Sequence, residues 1–119
     1  MEITAEFLES ALQSLKEEIF SSLHVAMPGI VRSYDPDRRT AAVQPALRRR
    51  NAAGDIITAP LLQDVPVFLS GASSEVTPGA SCLLIFADFC LDGWFETGQP
   101  TLPPSPRSHD LSDAVALIR

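Results

Sequence analysis

His109, Asp110 and Asp113 place an imidazole and two carboxylates a few residues apart, a set that could ligate a divalent cation or relay a proton. No third His or Cys ligand lies near them, because the only other histidine is His24 and the only cysteines are Cys82 and Cys90. Asp110, Ser112 and Asp113 also suit turn capping and interface hydrogen bonding, so this segment is expected to be architecture. Two cysteines are too few for a structural zinc site; free thiols in a reducing compartment are expected, with a disulfide allowed but not needed. No Gly-X-Ser-X-Gly elbow and no glycine-rich phosphate loop is present. The expectation is a protein that is not an enzyme, with no catalytic, metal or cofactor-binding residues.

Charge sets the next bound. The formal net charge of −6 argues against a general phosphate-binding surface, which needs Lys and Arg to neutralise phosphates. Arg48-Arg49-Arg50, with Arg38 and Arg39 close in sequence, is the one basic cluster. It reads equally well as a solvated hairpin tip and as an electrostatic dock for a neighbouring subunit. The N-terminus shows no basic stretch leading into an apolar core, and no run of about 20 apolar residues could span a bilayer. Folding in a cytoplasm and no stable membrane association are expected.

The elements that must position these residues divide at about residue 23. Thr4 can cap a helix running to about Leu23, and Ala5, Leu8, Leu12, Leu15 and Ile19 alternate spacings of three and four, a short heptad seam. Phe7, Ala11 and Phe20 widen the stripe. The helix either packs on its own domain or forms a short coiled coil between subunits.

Residues 24–119 read as strands and turns. Expected strands are residues 25–33, broken at Pro28-Gly29; residues 40–49; an interrupted third strand over residues 56–62 and 65–69; a central, most apolar strand over residues 81–89; and a last strand over residues 111–118. Turns fall at residues 34–37 and 51–55, a loop at residues 70–74, and a turn at Val76-Thr77-Pro78-Gly79. The ten prolines mark edges, strand starts and turns, and residues 96–106 form a Pro-rich excursion. This pattern gives a mainly β protein, a small five-stranded OB-type barrel preceded by one helix, with an SH3-like barrel as second choice. Trp94, between Gly93 and Phe95, could stack on a ligand as in single-strand-binding barrels. The preferred reading is structural, with Gly93 allowing a sharp bend and the indole filling the barrel end or a subunit contact.

With these pieces placed, the chain resembles the N-terminal OB domain of the central spikes of contractile-tailed phages, the membrane-piercing baseplate spike family. The match rests on Met27-Pro28-Gly29-Ile30-Val31, Val43-Gln44-Pro45, Pro60-Leu61-Leu62, Val65-Pro66-Val67, Gly79, Asp92-Gly93-Trp94 and Arg107-Ser108-His109-Asp110-Leu111-Ser112-Asp113-Ala114, in the family's order. The resemblance implies a homotrimer seated on the tail hub protein at the centre of a virion baseplate, assembled in the bacterial host cytoplasm, with a needle continuing below it. The chain stops at Arg119, where the needle would start, so a separate spike-tip or needle protein is expected. The His-X-His iron site of some spike tips has no counterpart, as His24 and His109 are far apart. The expected oligomer interface comprises Leu8, Leu12, Leu15, Ile19, Trp94, Asp110 and Asp113. A rival reading is a free-standing OB module binding single-stranded nucleic acid or oligosaccharide, which fold alone does not exclude.

Overall fold

The structure, a computed structural model, describes residues 3–69 and 75–118. Helix α1 (Ala5–Ser22) starts at Thr4, whose hydroxyl accepts the Phe7 N–H at 3.1 Å, and ends where Leu23 N–H meets the Ile19 carbonyl. None of its residues is buried.

Seven strands follow among the described residues: β1 (Ala26–Asp35), β2 (Thr40–Pro45), β3 (Arg49–Arg50), β4 (Ile56–Ile57), β5 (Leu62–Leu69), β6 (Ser81–Phe86) and β7 (Ala114–Ile118). Five of them close a barrel in the order β1-β2-β5-β7-β6, β6 pairing back onto β1. β1, β2 and β5 run as an antiparallel meander, and β7 lies parallel to β5 and antiparallel to β6. This is a small OB-type barrel preceded by one helix. A short helix α2 (Asp92–Thr97) and a 3-10 turn (Leu111–Asp113) lie between β6 and β7.

The core is built from alternate strand residues. β6 alternates exposed and buried, turning Cys82, Leu84 and Phe86 inward against Val31, Val43, Val65, Ala116 and Ile118. Small residues set the barrel's width: a Cβ on buried Gly29 would stand 2.7 Å from Val43 Cγ1 and 3.0 Å from Leu84 Cδ1. Cys82 and Cys90 are buried and unpaired, and burial pushes the Cys82 thiol pKa above its ordinary value.

Several boundaries differ from the sequence expectation. β1 runs unbroken through Pro28-Gly29, because Pro28 loses only a donor while its carbonyl takes the Ala46 N–H at 2.9 Å, just where β2 stops. β2 ends at Pro45, and the expected third strand splits: its first residues pair with Arg49–Arg50 as a separate hairpin turning at residues 51–55, while β5 starts only at Leu62. Pro66 is tolerated inside β5 because it faces Thr40, the first residue of β2. β6 stops at Phe86 and has no central place, since every strand of a closed barrel has two neighbours. The Asp35 carboxylate accepts the Asp37 and Arg38 amides, and Ala80 N–H reaches the Thr77 carbonyl across a turn with Gly79 at φ +92°, both as the residue types require. The expected loop at residues 70–74 and the terminal Arg119 lie outside the described residues.

Candidate functional site

The segment from Arg107 to Ala114 is an internal clasp. Arg107 Nε donates to Asp113 Oδ2 at 3.0 Å and Nη2 to Asp113 Oδ1 at 2.9 Å, and Nη2 also approaches Cys90 Sγ at 2.9 Å and Asp92 Oδ2 at 3.3 Å. Asp113 further accepts the Leu91 N–H at 3.1 Å. The Cys90 thiol and the Asp92 and Asp113 carboxylates lie within 4.8 Å of one another, close enough to share a cation. The Arg107 guanidinium is that cation. Its hydrogen bonds to Asp113 raise its pKa further above the ordinary value, so it stays charged at any working pH.

His109 serves the same purpose. It adopts φ +48°, its N–H donates to the Ala87 carbonyl at 3.2 Å and its carbonyl accepts the His24 N–H at 3.2 Å. Its Nδ1 lies 3.1 Å from the His24 carbonyl and its Nε2 3.5 Å from Asp88. The His24 ring packs on Phe86 with centroids 5.5 Å apart, so the base of α1 is tied to the barrel at a defined point. Asp110 caps the 3-10 turn by accepting Ser112 N–H at 2.9 Å, which lowers its pKa below the usual carboxylate value. Thus His109, Asp110 and Asp113 come together as chain-internal fasteners. Asp113 has a fully buried side chain, so at a subunit contact it would act through Arg107, whose side chain remains 31% exposed.

Trp94 is neither core nor at a bend. It sits in α2, 37% exposed, with its ring 6.2 Å from Phe68 on the outside of the barrel. Gly93 is needed for proximity rather than bending: a Cβ there would stand 2.8 Å from Thr101 Oγ1.

A further surface emerges from the strand register. Register places Phe68 opposite Leu117, Leu117 opposite Leu83, and Leu83 opposite Pro28, a row across four strands. A second row joins Val115, Ile85 and Ala26. Paired residues share a face. These therefore form one outward apolar patch, with Leu83 and Leu117 each 42% exposed and Trp94 at its border through Phe68. Reading residues 81–89 as the most apolar, central strand said nothing of this face; in the structure Leu83 and Ile85 alternate outward while Cys82, Leu84 and Phe86 turn inward.

Helix α1 is a second unpartnered surface. Leu8, Leu12, Leu15 and Ile19 lie along one stripe and all are at least half exposed. The molecule exposes 8618 Å², against about 6,300 Å² for a compact monomer of this mass. Its radius of gyration is 18.0 Å, against about 13.5 Å for a compact chain of this length.

The basic residues are not one cluster. Arg38 and Arg39 occupy the β1–β2 turn, where Arg38 pairs with Asp64 at 3.4 Å, while Arg48–Arg50 lie beyond the other end of β2. The length of β2, roughly 15–20 Å at strand rise, separates the groups. Arg48 and Arg49 instead border a groove of about 660 Å³ whose apolar lining includes Met27, Leu47, Ile57 and Leu111, and whose far wall is the end of α1 at Glu18, Ser21 and Ser22.

Comparison with known families matches residues 27–119 to the family described as phage protein Gp138 N-terminal domain. The match takes in essentially the whole barrel and leaves α1 outside it. No curated protein matches the chain.

Proposed function

We propose, from the premise that the chain belongs to the phage protein Gp138 N-terminal domain family, that it is a non-enzymatic structural subunit of a contractile phage tail baseplate. Three copies form the central spike or hub-adjacent plug that closes the tail tube and supports the envelope-piercing tip. The observation that carries this reading is the pair of unpartnered apolar surfaces on one small protein. Together with an exposed area about a third above that of a compact monomer, they fit a subunit that finishes folding by association.

Geometry supports a division of labour. The α1 stripe has the spacing for self-association, and the outward barrel rows offer a flat apolar face of the kind that seats a subunit on its neighbours. The clasp around Arg107 keeps the β7 end of the barrel closed, so a load applied along the tail axis is passed through packed strands. Separation of the two arginine groups leaves no continuous basic track for a nucleic-acid strand, which disfavours the free-standing binding module.

Light scattering on the purified full chain tests the reading. The expected mass is three times that of the chain, with Leu83→Glu lowering assembly without unfolding the barrel. A monomer at the highest soluble concentration, together with tight, salt-sensitive binding of single-stranded DNA, would transfer the protein to the binding class.

A further inference from the structure

Among the described residues, none fills the groove beside the base of α1. Its lining includes the apolar Met27, Leu47, Ile57 and Leu111 together with Arg48 and Arg49, which outnumber its one carboxylate, Glu18. Neither arginine takes part in an ion pair among the described residues. We propose that this groove receives the Phe20 side chain of the adjacent copy, making it a lateral lock between subunits. The inference rests on the trimeric reading above and specifies how neighbouring copies engage.

Heptad geometry supplies the occupant. With Ala5, Leu12 and Ile19 at position a and Leu8, Leu15 and Ser22 at d, Glu18 falls at g, Ser21 at c and Phe20 at b. The groove wall formed by α1 is made of Glu18, Ser21 and Ser22, so the groove opens on the c, g and d side of its own helix. In a parallel bundle the d and g side of one helix meets the a and e side of the next. Position b lies just outside e on the approaching helix, as c lies just outside g on the receiving one. The neighbour's Phe20 therefore arrives at the groove mouth, at the level of Ser21 and Ser22.

Chemistry agrees with position. Phe20 is 62% exposed and lies off the seam, so association of the helices alone leaves it uncovered. One turn before it, Glu17 stands on the same face, held only by Gln13 Nε2 at 3.2 Å. A phenyl ring flanked by a carboxylate meets a lining of apolar side chains and guanidinium groups, which satisfies the burial, the ion pair and the cation–π contact together. The contact is heterologous, from the b face of one copy to the groove of the next, and a threefold rotation closes it into a ring.

Cross-linking of mixed copies tests the proposal. Full chains carrying Phe20→Cys and full chains carrying Ile57→Cys are co-expressed and mildly oxidised; the native thiols are buried. A disulfide-linked dimer on a non-reducing gel is expected in the mixture and in neither variant alone, which excludes linkage within one chain. Phe20→Ala should raise the concentration at which half the copies are monomeric by about tenfold or more, as for a buried aromatic anchor. Its circular dichroism should not change. A wild-type trimer with no mixed cross-link and no loss of association in Phe20→Ala overturns the lock alone. A wild-type chain that is monomeric throughout overturns the trimeric reading and the lock with it.

Discussion

Arg107 and Asp113 form a two-point ion pair, Nε to Oδ2 at 3.0 Å and Nη2 to Oδ1 at 2.9 Å, around a carboxylate whose side chain is wholly excluded from solvent. The pair ties β7 to the segment leading into α2, because the same guanidinium touches Cys90 and Asp92 and the same carboxylate takes the Leu91 amide. Removing Arg107 leaves Asp113 buried without its counter-charge. Arg107→Leu is predicted to cost about 3–5 kcal/mol, a large part of the stability of a small domain. Arg107→Lys should recover part of this but not all, since an ammonium cannot reproduce the forked contact. Urea unfolding of the three proteins checks the order, and equal midpoints for wild type and Arg107→Leu would show that the clasp is not structural.

Asp110 supplies a pH signature. Its carboxylate is stabilised by the Ser112 N–H, so its folded-state pKa lies below the ordinary 3.8. A depressed carboxylate pKa stabilises the fold above the unfolded value, and that contribution is lost as pH falls through the lower, folded value. Asp110→Asn should therefore be less stable than wild type at neutral pH, with the gap in Tm closing only below about pH 4. A gap that stays constant from neutral pH to pH 2 would remove the charge-based account.

Gly29 tests the barrel's width. Its missing Cβ leaves room for Val43 Cγ1 and Leu84 Cδ1, both on fully buried side chains with little freedom to move away. Gly29→Ala is predicted to destabilise by about 1–3 kcal/mol through overpacking. Gly79→Ala should also destabilise, but by turn strain at φ +92° in open space, so a compensating Val43→Ala should rescue the first variant and not the second.

Leu12 and Leu15 decide what the helix is for. Because α1 buries no residue in its own chain, Leu12→Asp with Leu15→Asp should leave a folded barrel with a cooperative thermal transition, at a temperature lowered only by what association contributed. Association should fall sharply, since a carboxylate placed in an apolar seam must be desolvated. Scattering mass and calorimetry on the same sample separate the cases: loss of the barrel transition would mean that the helix folds onto its own domain.

The sequence by itself determined the local decisions. Thr4 and the three-and-four spacing specify α1, Asp35 and Pro36 specify the first turn, and Pro78-Gly79 the turn before β6, because each depends on backbone conformation and near-neighbour hydrogen bonds. Its motifs also carried the family and the barrel. Tertiary structure decided what depends on distant pairing. Strand period alone cannot tell which face of β6 meets the core, or that Leu83 lies between Pro28 and Leu117; register across the closed barrel fixes both and exposes the apolar rows. Only folding brings Cys90, Asp92 and Asp113 around Arg107. Folding likewise places Trp94, expected at the barrel end or a subunit contact, at the border of a surface patch, and sends the two arginine groups to opposite ends of β2. Contacts within a few residues are set by local sterics, whereas these are set by which strands become neighbours when the barrel closes.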